Sequence, residues 1–166
     1  MFDIKNGVLV GCSGSGEKVY IPEGVTAIGP DVFRENNEIT YVRIPEGVTV
    51  IDQFAFGFCG NLKSVSVPNT LQRIEFKAFT YCEKLEKFFI PPGVKRIDRC
   101  AFSSCSSLRK LMIPDNIEQV CADSFCGSKN TTIFYRGRAY HSDWFGTFTA
   151  LRDVLAPLAI NMTEGF

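Results

Sequence analysis

The chain has 166 residues, the size of one average domain. Its 18 lysines and arginines equal its 18 aspartates and glutamates, and this zero formal charge excludes a general polyanion binder, which carries a basic excess. With 45% hydrophobic residues it is no acidic disordered tail, and its longest apolar runs are too short to span a bilayer.

Residues 1–17 read as an N-terminal cap. Phe2, Ile4, Val8 and Val10 alternate in part around Asn6-Gly7, a strong hairpin turn signal. Gly11 to Gly16 read as a flexible loop, and as a phosphate loop the run is very weak because no Gly-Lys-Ser/Thr follows. The first seven residues lack the charged start and long apolar stretch of a signal peptide. The chain as written is therefore expected in the cytoplasm.

Residues 18–132 hold five units of 23 residues in unbroken register. An apolar residue precedes proline at Ile21-Pro22, Ile44-Pro45, Val67-Pro68, Ile90-Pro91 and Ile113-Pro114. Phenylalanine recurs at Phe33, Phe56, Phe79, Phe102 and Phe125, and cysteine at Cys59, Cys82 and Cys105. In Leu85 to Pro91, the residues Leu85, Phe88 and Ile90 fall on one side, as in a half-buried strand. Proline lacks a backbone donor and suits the strand's end. The next segment, such as Val94 to Ile97, turns two aliphatics inward, and Asp98 to Cys105 is expected to form one or two helical turns. A lone unit cannot bury about seven inward side chains, because both its flat sides stay open. Stacked copies close those sides. The strands must then be parallel, and the phenylalanines must form a spine.

Residues 133–166 read as a C-terminal cap. Ile133-Phe134-Tyr135 starts a sixth strand in which Arg136 takes the inward place. Ser142-Asp143-Trp144 resembles a helix start, with serine able to cap, and Trp144, Phe148, Leu151, Val154, Leu155 and Leu158 follow at helical spacing, with Pro157 expected to end or kink the helix. The expectation is one domain, 1–166, with an amphipathic helix over the last unit.

Catalysis finds little material. His141 is the single histidine, and no spacing couples it to a nucleophile such as Cys126. The seven cysteines contain no C-x-x-C, so packing is the ordinary reading for the column, with a disulfide or metal as the weaker ones. No catalytic, cofactor or metal site is expected.

The unit V-x-I-P-x-G-V-x-x-I-x-x-x-A-F-x-x-C-x-x-L, as in Val42 to Leu62, resembles the BspA-like (Treponema-type) leucine-rich repeat. The resemblance covers residues 18–132. It implies an α/β leucine-rich-repeat solenoid, a right-handed superhelix with parallel strands on the concave side. It also implies bacterial and some protist proteins that often sit at cell surfaces and bind other proteins, so a removed leader would allow that location here. It implies no catalytic residues.

Side chains between the inward ones must point out from the strands. One outward column reads Tyr20, Arg43, Ser66, Phe89, Met112, Tyr135, and its neighbour reads Lys18, Tyr41, Ser64, Lys87, Lys110, Ile133. Contiguous exposed apolar groups mark interaction sites, and aromatics, methionine and arginine are enriched there. The candidate partner-binding residues are thus Tyr20, Tyr41, Arg43, Lys87, Phe89, Lys110, Met112, Ile133 and Tyr135. The reading is a non-enzymatic module that binds a protein partner. The alternative is a structural module, monomer or homodimer, whose apolar strip or C-terminal helix is covered by itself or by another copy. Nucleic acid is disfavoured by the zero net charge.

Overall fold

The computed structural model describes residues 1–14, 16–141 and 149–158. Trp144 and Phe148, two of the residues expected on the capping helix, lie outside the described residues. The described chain is a β-solenoid of about five turns. Each turn except the fourth carries a short strand before the proline, and every turn carries a shorter one after it.

The later strands of each turn form one continuous sheet. It runs β1 (Phe2–Lys5), β2 (Val8–Cys12), β4 (Ala27–Ile28), β6 (Val50–Ile51), β8 (Arg73–Ile74), β9 (Arg96–Ile97) and β11 (Gln119–Val120). β1 and β2 are the expected antiparallel hairpin, turned at Asn6 and Gly7, which both have positive φ. β2 then pairs parallel with β4, so the N-terminal cap extends the sheet and covers its first edge. Strands of the earlier set are β3 (Lys18–Tyr20), β5 (Tyr41–Arg43) and β7 (Ser64–Ser66), followed by β10 (Lys110–Met112), β12 (Thr132–Tyr135) and β13 (Arg138–His141). They form two separate three-stranded sheets, because residues 87–89 of the fourth turn make only one bridge, Ser64 to Lys87.

The core is the predicted one. Phe33, Phe56, Phe79, Phe102 and Phe125 are fully buried, with successive ring centroids 5.0, 5.1, 5.3 and 6.3 Å apart. The rings lie nearly parallel because identical backbones repeat beneath them. Cys59, Cys82 and Cys105 line the same interior, and each thiol donates to a carbonyl of an earlier turn: Phe33 at 2.9 Å, Phe56 at 3.1 Å and Phe79 at 3.2 Å. Ser128 continues the column, its hydroxyl donating to the Phe102 carbonyl at 2.9 Å.

The segment after each second strand is not helical as expected. It alternates three-residue turns with bonds to the next coil: Ala78 N–H donates to Glu75, whereas Phe79 N–H donates to Ala101. Left-handed residues four apart break any helix, at Asp31 and Glu35, Phe54 and Phe58, Lys77 and Tyr81, and Cys100 and Ser104. Only the last turn tightens, into a 3₁₀ helix over Ala122–Phe125. Parallel stacking explains this: an α-helix would consume the donors that join one coil to the next.

At the C-terminal end, α1 (Thr149–Leu155) lies against that 3₁₀ helix, and Leu151 and Leu155 are buried. Val154, expected on the apolar face, is exposed. A second 3₁₀ turn, Ala156–Leu158, contains Pro157, which lacks the donor that would continue α1.

Candidate functional site

The exposed face of the earlier strands divides into two parts. Tyr20, Tyr41 and Arg43 sit on β3 and β5, with the two tyrosine rings tilted 6.0 Å apart. Ser64 and Ser66 of β7 follow, and their small side chains interrupt the aromatic surface. Lys87, Phe89, Lys110 and Met112 come together beyond them. Phe89 is 61% exposed and Met112 53% exposed, which is unusual for large apolar side chains on adjacent turns.

Two of the expected residues do not join this surface. Ile133 is fully buried and Tyr135 is 1% exposed. The reason is register. β10 pairs with β12 as Lys110 with Thr132, Leu111 with Ile133 and Met112 with Phe134, a step of 22 residues where the repeat has 23. A one-residue slip moves every side chain of a strand to the opposite face. Thr132 and Phe134 therefore take the outward places, and Lys110 Nζ stands 4.6 Å from the Phe134 ring centroid. Arg136 is not an inward residue of the strand. It forms, with Gly137, the positive-φ turn of a hairpin between β12 and β13. The sequence signal was weak: Gly137 between two β-rich runs allows a turn, but Arg-Gly is not one of the dipeptides that mark a two-residue hairpin.

Between the fourth and fifth turns the face opens into a groove of about 650 Å³, floored by Phe88 and Ile90 and bordered by Phe89, Met112, Lys87, Arg109 and Lys110. A second hollow of about 380 Å³ continues it past Phe89 and Met112 to Pro92 and Pro114. The origin lies underneath. The inward position of the strand holds Val19, Val42 and Val65 in the first three turns and Phe88 in the fourth. Its ring is wedged edge-on between Phe79 at 4.9 Å and Phe102 at 4.8 Å. A ring larger than the valines of the first three turns and than Leu111 of the fifth coincides with the break in strand pairing, the effect that overpacking produces. Bonds that recur in other turns are missing here. Ile21 N–H donates to Arg43, Ile44 to Ser66 and Ile113 to Phe134, but Val67 makes no such bond to Phe89 and Ile90 none to Met112. Glu86 N–H donates to Lys63, whereas Arg109 makes no equivalent bond to Glu86.

The other candidates for chemistry are structural. Burial pushes the Cys59 and Cys105 thiols up to about 12 and that of Cys82 higher than its ordinary range, so none is a nucleophile at neutral pH. His141 Nδ1 lies 3.2 Å from the Thr132 hydroxyl and fastens β13 to β12. No group of three or more His, Cys, Asp or Glu able to hold a metal occurs among the described residues. A stripe of Phe54, Phe58, Phe76 and Tyr81 was not anticipated. Arg34, Lys77 and Arg99 interleave with it at 4.7–5.6 Å from the nearest rings. Its cations and rings already serve one another.

The repeat geometry and the column residues coincide with a known family. The sequence matches the BspA type leucine rich repeat region over residues 3–132, in six copies. The chain belongs to that family. The match starts inside the N-terminal hairpin, in keeping with the hairpin's place in the main sheet. Among solved structures, the T. pallidum leucine rich repeat protein is 22% identical, with a TM-score of 0.72 over 83% of this chain and 79% of that one. A leucine-rich repeat protein from Bacteroides ovatus is 23% identical, with a TM-score of 0.71 over 81% of this chain and 38% of that one. A leucine rich cell surface protein from Faecalibacterium prausnitzii is 24% identical, with a TM-score of 0.74 over 79% of this chain and 35% of that one. No curated protein matches the chain. These likenesses establish a shared solenoid; leucine-rich repeat proteins are generally protein-interaction modules. No helix among the described residues is long and apolar enough to cross a membrane.

Proposed function

We propose that the chain is a non-enzymatic binding module whose protein partner docks on the exposed face of the earlier strands, centred on Phe89 and Met112. The observation that carries this reading is the pair itself: two large apolar side chains, more than half exposed, beside a groove bordered by Lys87, Arg109 and Lys110. Desolvating such side chains is favourable at an interface, and a methionine adapts its shape to a partner. The described part of the C-terminal cap, α1, lies against the last turn and leaves this pair uncovered.

The test compares the intact chain with Phe89→Ser/Met112→Ser as bait in chemical crosslinking from the native host. Loss of specific partners by the double variant, with an unchanged far-UV spectrum, is the expected result. Identical crosslinks from both baits would reject the face. Sedimentation of the purified chain separates a second copy from a foreign partner. A concentration-dependent dimer that disappears in the double variant makes the partner another copy.

A further inference from the structure

We propose that the groove between residues 87–89 and β10 receives an extended, acidic peptide segment carrying a bulky apolar side chain. The inference rests on the docking face named above and specifies the class of partner.

Three observations converge on one strip. First, the backbone is open. Ile90 and Arg109 N–H face the gap without the bonds their counterparts make in other turns, as do the Glu86 and Met112 carbonyls. Peptide groups of an extended segment satisfy such an edge by strand addition, a recurring way in which a sheet recruits a short linear sequence. Second, the charge is one-sided. Lys87, Arg109 and Lys110 border the groove, with Glu86 the one carboxylate among its lining residues. None of the three cations forms a salt bridge with a described residue, although seven bridges form elsewhere among the described residues. Third, the walls are apolar at Phe89 and Met112 and the floor is apolar at Phe88 and Ile90, so one large apolar side chain fills the space between carboxylates that meet the rim. A nucleic acid fits less well. Three cations on a neutral chain neutralise few phosphates.

The device that opens the groove is internal, which supplies a test that leaves the contact surface intact. Phe88→Val restores the residue type of the first three turns and is expected to close the sheet, so the Ile90 and Arg109 amides gain protection from hydrogen exchange. A phage-displayed random-peptide library is selected on the full chain, on Phe88→Val and on the rim variant Lys87→Ala/Arg109→Ala/Lys110→Ala. Peptides enriched on the full chain are expected to carry net negative charge around a large apolar residue. Synthesised versions are expected to lose about tenfold in affinity for the rim variant, as three partly exposed ion pairs would give. Binding to Phe88→Val is expected to weaken at least as much. The inference is overturned if enriched peptides are not acidic, if none is enriched, or if acidic peptides bind both variants as tightly as the full chain. Should Phe88→Val fail to fold, the rim variant alone decides, since its changes are all at exposed positions. Peptides lost by Phe89→Ser/Met112→Ser yet kept by the other two variants would leave the docking face standing and remove only the acidic, strand-adding partner. Peptides indifferent to every variant would remove both.

Discussion

Replacing Phe79 by alanine tests the fold at its centre. Phe79 is fully buried and sits between two spine neighbours, Phe56 at 5.1 Å and Phe102 at 5.3 Å, with Phe88 edge-on at 4.9 Å. A buried Phe→Ala change costs about 3–5 kcal/mol through lost transfer energy and the cavity left behind. Aromatic pairs contribute about 0.5–1.5 kcal/mol each beyond burial, and three are lost, so the upper half of that range is expected. Against a typical total of about 5–15 kcal/mol, this is a large share. The position also matters in a stacked array, where stability is the sum of turns and of the interfaces between neighbours. Phe125 in the last turn lies 6.3 Å from Phe102, so Phe125→Ala is expected to cost less, near the lower end. Urea unfolding followed by far-UV circular dichroism measures both. The Phe79 variant should lose stability strongly and broaden its transition as the turns on either side uncouple. A loss below about 1 kcal/mol for Phe79→Ala would mean that the spine does not hold the turns together.

Three further outcomes follow from single columns. Cys82→Ser should be tolerated to within about 1 kcal/mol, because Ser128 makes the same bond to an earlier carbonyl, while Cys82→Ala loses that bond and should cost more; thermal melts of the two rank them. Glu75 lies 3.1 Å from Arg73 and 3.8 Å from Arg96, yet burial outweighs both cations and raises its pKa above the ordinary carboxylate value, with Asp98 and Asp52 adding to the rise. The folded chain therefore holds that proton more tightly than the unfolded one. Its contribution to stability is full below the ordinary carboxylate value and declines as the pH rises through the raised one, so Glu75→Gln should flatten the decline on the alkaline side of the ordinary value; equal slopes in wild type and variant would refute the assignment. Ser104 holds a left-handed backbone, φ 59°, at the position where the next turn has Gly127 at φ 79°. Ser104→Gly should stabilise by about 0.5–1 kcal/mol, the strain relieved less the extra entropy of the unfolded glycine, and a lower melting temperature would contradict this.

The legible part of the sequence is the part that repeats. Ile21-Pro22 and its four equivalents, the phenylalanine column and the cysteine column all found their places, because a column is three to five observations of one environment. What escaped is of two kinds. The coil after each second strand looked helical in Ala101, Phe102 and Cys105, whose spacing suits a helix face as well as an interior corner. The deciding term is inter-coil bonding, which has no local signature. Ile133 and Tyr135 were misplaced because the step of 23 was extended one strand too far, into a turn of 22. The apolar surface of both was itself the clue, since burying Ile133 and the Tyr135 ring in the solenoid removes that surface from water, whereas outward positions leave it exposed.

Phe88 joins the fold to the proposed function. As a member of the inward column it obeys the apolar pattern, and only its size departs from valine. Three backbone bonds found at equivalent places are absent around it: Val67 to Phe89, Ile90 to Met112 and Arg109 to Glu86. At about 0.5–1.5 kcal/mol each, their loss costs about 1.5–4.5 kcal/mol. The two edge-on contacts with Phe79 and Phe102 return about 1–3 kcal/mol. The two effects nearly balance, so the array tolerates the break without a large loss of stability. A fully paired strand face offers a partner side chains alone, because its backbone groups already bond the adjoining coils. The break is where this face also offers donors, acceptors and depth. A partner that supplies strand-like peptide groups restores what the ring displaced, and its binding should therefore tighten the solenoid at the same turn that the ring loosened.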